Sequence, residues 1–144
     1  MHNDIKPANF LVNEKTGEPV LIDLGFSTEK DKKPIGATKH YMAPEVRDGQ
    51  AVDERSDVFT VGASLVRGIE GREEAAGIEK AAKRQPNEGL FKHDYFKDRD
   101  GNVLRKKASY STETAYTRFM NSVMEGNKDI RVNSQEAKNL PFLN

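Results

Sequence analysis

A mainly α-helical domain with one small β-hairpin near its N-terminus is the fold class that these 144 residues predict, and three observations carry it. Two short apolar runs, Phe10-Leu11-Val12 and Val20-Leu21-Ile22, flank the turn-rich Asn13-Glu14-Lys15-Thr16-Gly17, the pattern of a hairpin. Val58, Phe59, Val61, Leu65, Val66 and Ile69 recur at helical spacing over a wide arc and stop at Gly71, which predicts a buried central helix. Tyr116, Phe119, Met120, Val123 and Met124 form a second apolar stripe, expected to be core on a later helix.

Ahead of the hairpin, His2-Asn3-Asp4-Ile5-Lys6-Pro7-Ala8-Asn9 reads as a loop, because Pro7 would clash with a preceding turn and Asp4 and Asn9 share no helical face. Ile35 to Glu45, bounded by Pro34 and Pro44, is expected to be irregular. Arg72 to Arg84 is rich in Ala and charge and predicts an exposed helix ended by Pro86. Asp98-Arg99-Asp100-Gly101-Asn102-Val103 invites a calcium loop, but the closing glutamate is missing and an Asp-Gly turn fits better. Asn133 with Glu136 makes a capping box for a short helix that Pro141 stops.

Lys plus Arg and Asp plus Glu both number 23, so no basic field favours nucleic acid. With 35% hydrophobic and 32% charged residues, the chain has the balance of one soluble domain with a modest core. No stretch is apolar enough to span a membrane. The absence of cysteine excludes disulfides and thiolate metal sites, and three scattered histidines give no zinc spacing.

A hairpin entered by Asp4, Lys6 and Asn9 and left by Asp23 can gather all four at one end. That set suits phosphate chemistry: Asp23 and Asn9 offer hard oxygens for Mg²⁺, Lys6 a charge for a phosphoryl oxygen, and Asp4 a carboxylate to orient a hydroxyl and take its proton. Singly, each has an ordinary alternative. Asp4 could form a turn beside Pro7, Lys6 could be a surface charge, Asn9 could cap the strand, and Asp23 could make an Asx-turn before Gly25. Their joint spacing favours the chemical reading.

The spacing His-x-Asp-x-Lys-x-x-Asn resembles the protein-kinase catalytic loop, and Asp23-Leu24-Gly25 stands where that family has its magnesium motif. Thr38 to Glu45, ending Ala-Pro-Glu, is similar to the close of a kinase activation segment, Ser56 to Gly62 to the start of the central helix, and Arg131 to the arginine that pairs with that glutamate. HNDIKP, Gly17 to Gly25 and Glu113 to Met120 are similar to the secreted Ser/Thr kinases of the Yersinia protein kinase type.

The resemblance implies a protein-kinase large lobe with the small lobe absent. Residues 1–144 would then be a partial kinase domain, with a catalytic loop at 2–9, magnesium motif at 23–25, activation segment at 23–45, central helix over about 57–70 and C-terminal helices over about 112–140. It implies ATP and Mg²⁺ as cofactors of the complete kinase and Asp4 and Lys6 as catalytic groups. Asn9 and Asp23 would bind the cofactor and metal, with His2, Thr38, Glu45, Asp57 and Arg131 as supports. It implies a protein Ser or Thr as acceptor, action after secretion into a host-cell cytoplasm, and a host activator such as actin. The isolated fragment is expected to be inactive.

Two departures from the family pattern stand out. Asn3 replaces the arginine that commonly precedes the catalytic aspartate, so a phosphate on the activation segment would lose its usual partner. Ala37 replaces a glycine. The competing readings are a catalytically silent kinase fold that binds a partner, and a small-molecule phosphotransferase, which shares the loop but lacks Ala-Pro-Glu and its arginine.

Overall fold

The computed structural model describes residues 1–71, 96–97, 103–105 and 114–143. Residues 2–6 are irregular and lead into one 3-10 turn at Pro7–Asn9, where the fixed φ of proline suits the first position and its missing N–H leaves nothing unpaired. The hairpin follows, β1 (Phe10–Val12) and β2 (Pro19–Leu21), antiparallel with Phe10 opposite Leu21, Leu11 opposite Val20 and Val12 opposite Pro19. Strand β2 thus opens at Pro19 and not at Val20. Its edge position tolerates a residue with no N–H to give. Ile22 N–H donates to the Asn9 carbonyl at 2.8 Å, which extends the ladder by one rung and sets Asp23 just past the hairpin base. None of the strand residues is buried, and Leu11, Val12 and Val20 are each more than half exposed.

Residues 22–43 form no helix or strand. Pro44, expected to bound an irregular segment, instead opens the short helix α1 (Pro44–Arg47), again at a position that needs no N–H. The main helix α2 (Glu54–Glu70) starts three residues before the expected Asp57. The Asp53 side chain caps it by accepting the Arg55 N–H, and Glu54 and Asp57 set negative charge on the positive end of the helix dipole. Gly71, at φ 86°, ends it.

Val58, Phe59, Gly62, Ala63 and Val66 form the buried face of α2, while Val61 and Ile69 are exposed, so the apolar arc is narrower than the spacing predicts. Against α2 pack α3 (Ala115–Val123) and α4 (Ser134–Lys138), with Phe119, Met120, Val123, Met124 and Ala137 completing the core. Gly62 permits this close approach: a Cβ there would lie 2.6 Å from Met124 Cγ and 2.9 Å from Val123 Cγ2.

Both later helices lie within the expected span of about 112–140, and both carry capping boxes, Thr114 with Thr117 and Asn133 with Glu136. A second antiparallel pair, β3 (Phe96–Lys97) and β4 (Val103–Arg105), has no counterpart in the sequence reading. The helix expected at Arg72 to Arg84 and the Asp-Gly turn between β3 and β4 lie outside the described residues. Among the described residues no helix is long and apolar enough to cross a membrane.

Candidate active site

The loop of residues 2–5 is laid along one face of α2. Asp57 accepts the backbone N–H groups of His2 and Asn3, both at 2.8 Å, and seven residues further along, Ser64 Oγ donates to the Ile5 carbonyl at 3.0 Å. His2 ties this loop to the end of the hairpin, with Nε2 3.1 Å from the Ile22 carbonyl and Nδ1 accepting the Asp4 N–H at 3.2 Å. Those two contacts place the ring proton on Nε2.

Asp4, 2% exposed, is the centre of a four-residue cluster. Lys6 Nζ donates to its Oδ2 at 2.8 Å and to Thr38 Oγ1 at 2.7 Å; the Thr38 hydroxyl and N–H both donate to Asp4 Oδ1. Asn9 Nδ2 donates to the Asp4 carbonyl at 2.8 Å and to Asp4 Oδ2 at 3.0 Å. Burial alone would raise the Asp4 carboxyl, but the hydrogen bonds from Lys6, Thr38 and Asn9 outweigh it and hold the group below its ordinary value. Asp4 is therefore an ionised, aimed carboxylate at neutral pH.

Asp23 stands outside this cluster. It is exposed, has a left-handed backbone (φ 65°), and its Oδ1 accepts the Gly25 N–H at 3.1 Å, the Asx-turn that its sequence context also allows. It makes no hydrogen bond to Asp4, Lys6, Asn9 or Thr38, and it shares that end of the hairpin only through the rung between Ile22 and Asn9. A Mg²⁺ ion nevertheless fits the donor chemistry. Asn9 spends its amide nitrogen on Asp4 and keeps Oδ1, and Asp23 keeps Oδ2, two hard oxygens of the kind this ion takes alongside water and phosphate. Among the described residues no cluster of three or more His, Cys, Asp or Glu is placed to hold a metal.

Glu45 and Arg131 join α1 to the turn before α4. Their carboxylate and guanidinium meet at two points, Oε1 to Nη1 at 2.6 Å and Oε2 to Nη2 at 2.9 Å, and both side chains are nearly inaccessible. Desolvation pushes the Glu45 carboxyl up, and Arg131 and the Ser56 hydroxyl more than reverse it, so the group lies below its usual range. Nothing in the local sequence marks Ser56 as a partner of Glu45. Equally unsignalled are the reciprocal bonds between Arg55 and Arg131, in which each guanidinium donates to the other's carbonyl at 2.8 Å.

This ordering, a lysine- and threonine-fastened aspartate beside a hairpin with an arginine-clamped helix behind it, is a scaffold of the protein-kinase class. The model of the protein kinase domain matches residues 1–143, and the chain belongs to that family. It is 36% identical over 99% of its length to the protein kinase YpkA of Yersinia pseudotuberculosis, and equally to that of Yersinia pestis. The serine/threonine-protein kinase PknJ of Mycobacterium tuberculosis is 39% identical over 49% of the chain, and the MAP kinase kinase MKK1/SSP32 of Saccharomyces cerevisiae 35% over 63%. The chain spans 19% of the length of YpkA, 14% of PknJ and 18% of MKK1/SSP32.

Proposed function

We propose that this chain carries the reaction centre of a Ser/Thr protein kinase, transferring the ATP γ-phosphate to a protein hydroxyl. The observation that carries the proposal is the Asp4–Lys6–Thr38–Asn9 cluster. Asp4 orients the acceptor hydroxyl and takes its proton, while Lys6, already bridging Asp4 and Thr38, neutralises a phosphoryl oxygen. Asn9 and Asp23 supply the metal ligands. When bound, Mg²⁺ offsets charge on the phosphates and sets their direction. His2 and Asp57 hold the loop, and Glu45 with Arg131 holds the far end of the activation segment, residues 23–45. Serine or threonine as acceptor accords with Lys6 and Thr38 and with the similarity to the serine/threonine-protein kinase PknJ.

In this reading residues 1–144 are the large lobe of the kinase fold, and the exposed apolar side chains of the hairpin are one wall of the nucleotide site. A second wall is needed, so the isolated chain has little affinity for ATP and no measurable transfer. Action in a host-cell cytoplasm, with a host activator such as actin, follows from the resemblance to the Yersinia type. The Glu45–Arg131 clamp disfavours a small-molecule phosphotransferase.

The test is γ-phosphate transfer to a basic protein by the full-length protein. Asp4→Ala should slow it by about two to four orders of magnitude and leave nucleotide affinity nearly unchanged. An unchanged turnover removes Asp4 from the chemistry. A wild-type protein that transfers nothing, with its partners present, is the silent binding module instead.

A further inference from the structure

Asn3 has no part in the chemistry proposed above, yet it is 1% exposed and held in left-handed backbone at φ 65°, a conformation that asparagine tolerates better than most residues. Its N–H is fixed by Asp57, and its Nδ2 reaches across the loop to donate to the Phe26 carbonyl at 2.9 Å. The opposite amide orientation would set two acceptors face to face, so the contact itself dictates which atom points at Phe26. Phe26 in turn is packed at its other end: a Cβ added to Gly36 would lie 2.6 Å from the Phe26 ring. Two residues beyond Gly36, Thr38 is bonded to Asp4, the neighbour of Asn3. The segment that leaves the site at Asp23 therefore returns to it at Thr38, with Asn3 and Phe26 closing the circuit.

Further fastenings lie along the way. Thr28 N–H donates to the Met1 carbonyl at 2.9 Å, Asp31 N–H to the Val52 carbonyl at 2.8 Å, and Val52 N–H to the Lys32 carbonyl at 3.0 Å.

We propose that Asn3 is a positioning residue whose side-chain amide fastens the Asp23–Phe26 turn to the Asp4 loop and so fixes where Asp23 stands. What that segment does rests on the kinase reading; how it is held does not. Asn3 acts through Phe26 on the placement of Asp23, three residues earlier in the same turn.

Amide hydrogen exchange on the whole chain tests the fastening without reference to activity. Asn3→Asp keeps the shape and loses the N–H donors, and Asn3→Gly keeps the backbone conformation without introducing a charge. In wild type the Ser27 and Thr28 N–H groups, bonded to the Leu24 and Met1 carbonyls, should be protected. In both variants they should exchange about tenfold faster, the scale of one lost buried hydrogen bond, while Phe59 to Val66 and Phe119 to Val123 keep their rates.

Equal protection at Ser27 and Thr28 in the Gly variant overturns the proposal, as does loss spread evenly through α2 and α3. On the kinase reading, both variants of the full-length protein should raise the half-saturating Mg²⁺ concentration for transfer about tenfold or more and keep the rate at saturating Mg²⁺ within about twofold. A rate lowered equally at all Mg²⁺ concentrations also overturns it. A kinase inactive in wild type sinks the functional reading and leaves the exchange experiment to decide on Asn3.

Discussion

Arg131 uses all five of its guanidinium N–H donors, two on the Glu45 carboxylate and the others on the carbonyls of Glu125, Arg55 and Gly126, while its Cζ lies 5.0 Å from the centre of the Phe59 ring. A guanidinium is the group whose flat fork can meet so many acceptors at once, and lysine could not replace it.

Removing one partner should therefore cost far more than removing both. Arg131→Met leaves the Glu45 carboxylate buried without its cation, and urea unfolding should show a loss of about 3 to 5 kcal/mol. Combining it with Glu45→Leu should recover part of that loss. A double variant no more stable than Arg131→Met would show that the charge left behind is not the source of the cost.

The pH dependence follows from the same pair together with Asp4. Both carboxyls are held below their ordinary values in the folded state, so the unfolded chain binds their protons more readily. Their contribution is complete above the unfolded value of about 4 and is lost as pH falls through the lower folded value. Stability should be level from neutrality to about pH 5 as far as these groups decide it, and decline below that. Glu45→Gln should make the acid decline shallower. An identical slope in the variant would remove Glu45 from the linkage.

Two glycines of one helix should respond with opposite sign. At Gly62 an added methyl collides with Met124 and Val123, so Gly62→Ala should destabilise by about 1 to 3 kcal/mol. At Gly68 nothing lies within 4 Å of the added Cβ, so Gly68→Ala should stabilise by about 0.5 to 1 kcal/mol through helix propensity. Denaturant midpoints with unchanged slopes would verify both.

Thr38 contributes a hydroxyl that donates to Asp4 and accepts from Lys6. Thr38→Val keeps the shape and removes the hydroxyl, and on the proposed kinase reading should slow transfer by the full-length protein about 100-fold, the cost of a small misplacement at a reacting centre. Thr38→Ser should keep most of the rate. Equal rates in the two variants would show that the hydroxyl is not what matters.

The hairpin, the main helix and the Phe119 stripe were legible in the sequence because each rests on local periodicity. Asn133 and Glu136 were legible because a capping box is a pattern three residues long. The grouping of Asp4, Lys6 and Asn9 could be read from their closeness in the chain, and Thr38 and the Glu45–Arg131 pair entered only through family resemblance. Less readable were features set by tertiary geometry. Pro44 looks like a boundary but begins a helix, and Val61 has the right spacing yet falls outside the packed face. Asn3 carries no local sign that its amide will meet a carbonyl 23 positions later. Asp23 shows the opposite case, since its proximity to Gly25 allows an Asx-turn that points the carboxylate into its own loop.

The clamp also sets an order of events during synthesis. The contacts between Thr38 and Asp4 span 34 residues, whereas Glu45 must await a partner 86 residues downstream. At about 5 to 20 residues per second, that interval is about 4 to 17 s on the ribosome. A nascent chain can thus close the loop around Asp4 well before translation delivers the arginine that anchors the helix behind it.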